Sequence, residues 1–195
     1  MTEGLSPADR WRRVAAAPDE RIDLAEAALL IAADEYPGLD IEENLARLDA
    51  MGAALRRRLR PDIGVTDSLL ALNHYLFTEL GFAGDTDDYY DPRNSFLNEV
   101  LARRKGIPIT LSVVYMEVGR RIGLVLHGVC FPGHFLVKCP LHGGVAILDP
   151  YAAGASLSLD DLRGRLAALA PGQPAPELTA DMLAAAGNRE ILARM

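Results

Sequence analysis

The residues best suited to chemistry lie between Gly106 and Asp149. His134 and Asp149 stand fifteen positions apart, each at the edge of a short β-like run, in PGHFLVK and VAILDP. Upstream, Gly106-Ile107-Pro108 opens a helix. These are three parts of a thiol acyl-transfer site. Such a site needs a thiolate at a helix N-terminus, where amide dipoles lower its pKa and hold an oxyanion. A histidine on an adjacent strand shuttles the proton, and a carboxylate on the next strand fixes its tautomer. Period-two alternation puts His134, Leu136 and Lys138 on one strand face, and Val145, Ile147 and Asp149 on one face of the next. Pairing those strands would bring His134 and Asp149 side by side.

The nucleophile is missing. Pro108 stands at the helix start, and Thr110 and Ser112 are the only hydroxyls in the following turn. Either would need full activation by His134, because a hydroxyl pKa lies far above that of a thiol. The plainer reading gives each a hydrogen bond back within its own helix. Cys130 is the thiol nearest His134 in sequence, but four extended residues separate their Cα atoms by roughly 13 Å. It reads as a small buried apolar residue, and Cys139 ends a strand near a turn. Cys130, His134, Cys139 and His142 are all permitted zinc ligands, yet their spacing lacks the paired knuckles that put two ligands on one turn. No metal and no cofactor is expected.

The elements that must position these residues are readable. Apolar spacing predicts a helix over 23–33, ended by Tyr36-Pro37-Gly38, and a second over about 41–59. A third follows Thr66 as N-cap and runs to about Leu80. Ser95 opens a fourth to Arg104, with Asn94 as a candidate N-cap, and the fifth runs from Pro108 to Ile122, closed by Gly123. Strands are predicted at 124–130, 134–139 and 145–149, punctuated by Pro132-Gly133 and Gly143-Gly144. Further helices begin at Asp160-Asp161 and near Thr179, and residues 1 to 20 read as a frayed polar start. Helices first and strands grouped later indicate an α+β fold.

Composition narrows the function. Half of the 195 residues are apolar, and the net charge is −7, which argues against nucleic acid or an anionic membrane as partner. The cluster Arg56-Arg57-Arg58 with Arg60 is the exception: a solvated helix C-terminal turn that favours the dipole, or else a local anion site. No basic-then-apolar leader follows Met1, and no apolar run is long enough to span a bilayer. Two cysteines give no disulfide framework, so a cytoplasmic protein is expected.

The stretch NSFLNEVLARR from Asn94, then GIPITLSVVYMEVGRRIGL, PGHFLVK and LDPYAAG, resembles the transglutaminase-like family of the SirB/YchA type, and ALLIAADEYPGLD resembles that family's first helices. The resemblance implies N-terminal helices packed on a papain/transglutaminase-like core made of a central helix and a small antiparallel sheet. It divides the chain into an N-terminal helical region at 1–90, a transglutaminase-like core at 91–158 and C-terminal helices at 159–195. It also implies that the chain stops short of a tetratricopeptide-like extension. Ile191, Leu192 and Met195 would then lack a packing partner, and the last helix would be frayed or seated on a neighbouring molecule. In that family's active relatives the cysteine falls near Pro108. The expected function is therefore a non-catalytic regulatory or protein-binding domain that keeps a relic His134–Asp149 pair, with a protein or peptide as partner. The alternative is an active acyl-transfer or hydrolytic enzyme using Thr110, Ser112 or a displaced cysteine.

Overall fold

Polar side chains cap half of the α-helices. In the computed structural model, which describes residues 6–174 and 176–195, α1 (Pro7–Ala16) follows Ser6, whose hydroxyl accepts from the Asp9 amide. The Asp23 carboxylate accepts from the Glu26 amide to start α2 (Leu24–Glu35), and Asp40 does the same from Glu43 for α3 (Ile41–Arg56). Each cap satisfies an amide that the helix itself leaves unpaired. The frayed start expected over residues 1–20 is corrected from Ser6 onward by α1; residues 1–5 lie outside the described residues.

Next, α4 (Val65–Asn73) runs on into a π-helical turn at His74–Glu79. Gly64 is its N-cap, so Thr66 sits inside the helix rather than before it. A two-residue parallel pair, β1 (Ala83–Gly84) with β2 (Lys105–Gly106), was not visible in the apolar pattern. Between them, α5 spans Leu97–Arg103, preceded by a 3-10 turn at Pro92–Ser95.

The centre of the molecule is α6 (Pro108–Arg121). Every residue from Pro108 to Gly119 is buried, because α2, α3, α4 and α5 pack around it and a sheet covers the rest. That sheet is antiparallel, in the order β3 (His127–Val129), β4 (Leu136–Leu141), β5 (Gly144–Asp149) and β6 (Ala155–Leu157). Val137 lies opposite Leu148 and Lys138 opposite Ile147. Phe135, Val137, Cys139 and Leu148 join the main core on the α6 side. Val129, Leu136 and Ile147 face the other way and pack with Phe131 on Leu162 and Leu166 of α7 (Leu159–Leu169). Burial on both faces explains why β4 is apolar at consecutive positions instead of alternating. The fold is α+β, with N-terminal helices and a small sheet about a central helix.

The C-terminus corrects another expectation. The last helix, α8 (Asn188–Leu192), begins well after Thr179, where a last helix was expected, and Ile191 is only 2% exposed within the main core. Asp19 anchors it: its carboxylate accepts from the Asn188 and Arg189 amides at 2.9 and 2.8 Å. Leu192 and Met195 are half-buried against the same core. This helix is therefore packed on its own chain.

Candidate functional site

Pro132 and Gly133 occupy the corners of a turn closed by the His134 amide on the Phe131 carbonyl at 3.0 Å. Gly133 has φ +67°, the left-handed value that the third position of a type II turn requires. His134 thus sits in the bend just ahead of β4, not on the strand as expected. Asp149 ends β5 and caps the following 3-10 turn: its Oδ1 accepts from the Tyr151 and Ala152 amides at 3.0 and 3.3 Å. The hairpin between these two ends closes the gap, and His134 Nε2 lies 3.0 Å from Asp149 Oδ1.

The second carboxylate oxygen has a partner that the sequence did not signal. Arg165 Nη2, on α7, donates to Asp149 Oδ2 at 2.6 Å. Burial pushes this carboxyl up, for it is only 1% exposed, but His134 and Arg165 outweigh that, and its pKa lies below the ordinary value. An ionised Asp149 accepts hydrogen bonds and cannot donate. In the neutral imidazole, therefore, Nε2 carries the proton and Nδ1 the lone pair. Nδ1 has no hydrogen-bond partner among the described residues, and the His134 side chain keeps 17% exposure. Tyr151 lies edge-on to its ring, with Tyr89 and then Tyr90 leading outward to solvent.

The hydroxyl and thiol candidates are not brought to that free nitrogen. Thr110 is fully buried and occupied at both ends: its Oγ1 accepts from the Ile107 amide at 3.2 Å and donates to the Asn94 carbonyl at 2.7 Å. It is the N-terminal clasp of α6. Thr110→Val should leave both groups unpaired and lower stability by about 1–3 kcal/mol, read from a urea titration with an unchanged slope. Ser112 is fully buried and its hydroxyl finds no partner among the described residues, His134 included. Burial pushes up the thiols of Cys130 and Cys139, which favours the unreactive protonated form. Among the described residues no group of His, Cys, Asp and Glu converges as a metal site.

Residues 42–195 match the sequence model of the transglutaminase-like superfamily. The chain belongs to that superfamily. It is 42% identical over 190 residues to a UPF0162 protein of Xylella fastidiosa (strain 9a5c), an alignment covering 95% of this chain and 66% of that one. It is 37% identical over 172 residues to a UPF0162 protein of Pseudomonas aeruginosa, covering 88% and 62%. A shorter segment of 68 residues, 35% of this chain, is 44% identical to 11% of the F-box only protein 21 of Mus musculus. The chain thus spans slightly under two thirds of the length of those UPF0162 relatives. No solved structure matches it.

In this transglutaminase-like chain a buried ionic network holds the loop beside the His134 site. Asp85, Asp91 and Asn94 are 2%, 9% and 0% exposed. Arg103 of α5 joins all three, at 3.2 Å to Asp85, 3.3 Å to Asp91 and 3.2 Å to Asn94 Oδ1. Hydrogen bonds from the Arg93 side chain and amide hold the Asp91 carboxyl down at about 2. Asn94 is therefore a buried hub and not the N-cap of α5, a position that Phe96 takes. Its carbonyl receives Thr110, while the Asp85 carbonyl receives the Tyr151 hydroxyl at 3.4 Å. Loop, α6 and the turn after Asp149 are fastened through these bonds. The available signal was the acidic run Asp85 to Asp91 ahead of Arg103 and Lys105, whose pairing depends on tertiary packing.

Proposed function

We propose that this chain is a non-catalytic transglutaminase-like domain of the SirB type, which binds a protein or peptide, in the cytoplasm, across the face that carries His134. One observation carries the reading. The His134–Asp149 pair is built, its free nitrogen has no thiol or hydroxyl to deprotonate among the described residues, and Pro108 closes the helix start where a nucleophile would stand. Loss of one member of a catalytic triad removes nearly the whole of its contribution. What is left is a half-open histidine beside the graded row Tyr151, Tyr89 and Tyr90, the last of them 89% exposed. Aromatic side chains of this kind supply large contact area at small entropic cost. The 68-residue segment shared with F-box only protein 21, a small part of that larger protein, supports reading part of this chain as a unit built into other chains.

The test has two arms. Incubation with an activated acyl ester, and with a glutamine peptide plus a primary amine, should leave the chain unmodified and give no transamidation product. A peptide array should retain ligands that Tyr90→Ala and Tyr89→Ala weaken by about tenfold, the loss of one contact of roughly 1.4 kcal/mol. An acyl adduct found by mass spectrometry on Thr110, Ser112, Cys130 or Cys139, and lost in His134→Ala, would establish the enzyme in place of the binding module.

A further inference from the structure

Tyr89 and Tyr90 form the tip of a turn whose backbone is pinned from inside the protein. The Asp88 carbonyl accepts from the Asp91 amide at 3.2 Å and from Asn94 Nδ2 at 2.8 Å. The Asp88 amide donates to Asp85 Oδ1 at 3.3 Å. Asp85, Asp91 and Asn94 are the buried hub gathered by Arg103. Desolvating such charges is unfavourable, yet the turn they fix adds little to the core, for Tyr90 is 89% exposed and Tyr89 43%. Two aromatic rings held outward in fixed positions are pre-organised for a partner, so binding requires little further ordering.

The charges around this row do not balance. Arg93, Arg103, Lys105 and Arg165 each pair with a carboxylate, supplied by Asp85, Asp87, Asp91 and Asp149. A fifth carboxylate, that of Asp88, is exposed and has no cation partner among the described residues. It stands at the first position of the turn that carries both tyrosines. At the inner end of the row, Nδ1 of the neutral His134 ring also accepts and does not donate. The open features of this face are therefore a carboxylate, an imidazole lone pair and the electron-rich faces of aromatic rings. All three call for a cationic donor.

We propose that this surface takes an arginine-bearing segment of a partner protein, which rests on the reading of the His134 face as a peptide-binding one. The guanidinium would lie flat on the Tyr90 ring and donate in its own plane to the Asp88 carboxylate. Lysine fits less well, because a compact ammonium cannot stack on a ring and fork a carboxylate at once. An acidic segment would meet an unpaired like charge at Asp88 on a chain of net charge −7. A neutral proline-rich segment could dock on an aromatic row, but it would leave the Asp88 carboxylate without a role.

Amide NMR titration of the whole chain with acetylated, amidated heptapeptides tests the assignment, with one central arginine among glycine and serine. The arginine peptide should move the resonances of Asp88, Tyr89 and Tyr90. Citrulline in its place keeps the shape and removes the charge, and should bind about tenfold more weakly; lysine should bind about threefold more weakly. Asp88→Asn should weaken the arginine peptide about threefold, the size of an exposed ion pair, and leave the citrulline peptide unchanged. The Asp88 side chain has no partner to lose among the described residues, so folding should be untouched. Asp62→Asn, the same loss of charge at an exposed pair after α3, should change nothing. Citrulline equal to arginine, with both lost in Tyr90→Ala, would overturn arginine as the ligand while the peptide-binding face stands. Tighter binding of a lysine peptide or of a neutral proline-rich one would do the same. Shifts confined to other residues, or no binding of any peptide, would overturn both readings.

Discussion

Asp149→Ala should cost about 3–5 kcal/mol of stability, because it strands Arg165 and His134 without their shared carboxylate. Asp149 is only 1% exposed and makes four hydrogen bonds: to His134, to Arg165 and to two backbone amides. Asp149→Asn is the sharper variant, since it keeps the volume and removes the charge. The folded pKa of Asp149 is depressed, so in the acid range the unfolded chain binds more protons than the folded one. Its contribution is fully present above the unfolded value of about 3.9 and is lost as pH falls through the lower folded value. Other carboxylates, Asp85, Asp91 and Asp161, are depressed as well, so the wild type carries several such contributions. The difference between wild type and Asp149→Asn isolates one of them. Urea midpoints measured from pH 2 to pH 7 should converge for the two proteins as pH drops. Parallel curves would mean that Asp149 is not held as an ion by its partners.

Leu166→Ala should release α7 before the rest of the molecule unfolds. Leu166 is 1% exposed and, with Leu162, seats α7 on Phe131, Leu136 and Ile147, a cluster separate from the main core. Truncating a buried leucine costs about 2–5 kcal/mol, by lost transfer energy and by the cavity left behind. The cluster is small and sits on one side of the sheet, so the loss should fall first on α7 and on the Arg165 contact it delivers. Amide exchange should speed up in α7 while α2 and α6 keep most of their protection. Uniform loss of protection across all three helices would show instead that α7 opens only with global unfolding. Because α7 brings Arg165 to Asp149, the variant also tests whether the His134 site depends on that helix.

Several of these features could be read from the chain. Proline at the first helical position and Gly123 past the end fixed both limits of α6, since each residue type carries its own backbone restriction. The Gly143-Gly144 signal and the apolar runs on either side of it gave the β4–β5 hairpin, whose turn is His142-Gly143, and the hairpin brings His134 to Asp149. Boundaries suffered where turn chemistry competed with propensity. The pattern opened a helix at Ser95, but Asp91 accepts from the Arg93 amide and winds Pro92–Ser95 into a 3-10 turn first. Three residues are enough for β6, and two for β1 and β2, which is too short for any periodicity to register.

Local pattern, then, determined where the chain turns, which stretches become helix or strand, and that a histidine and an aspartate would meet without a thiol at the helix start. Tertiary structure alone decided what surrounds them. Arg165 reaches Asp149 because α7 folds back over the second face of the sheet, and Thr110 is a clasp because Asn94, sixteen residues earlier, presents its carbonyl. Hydrophobic periodicity specifies the face an element buries, but not which distant side chain supplies the hydrogen bond to a group buried on that face. That choice is made when the elements dock, and it is there that the charges at this site acquired their partners.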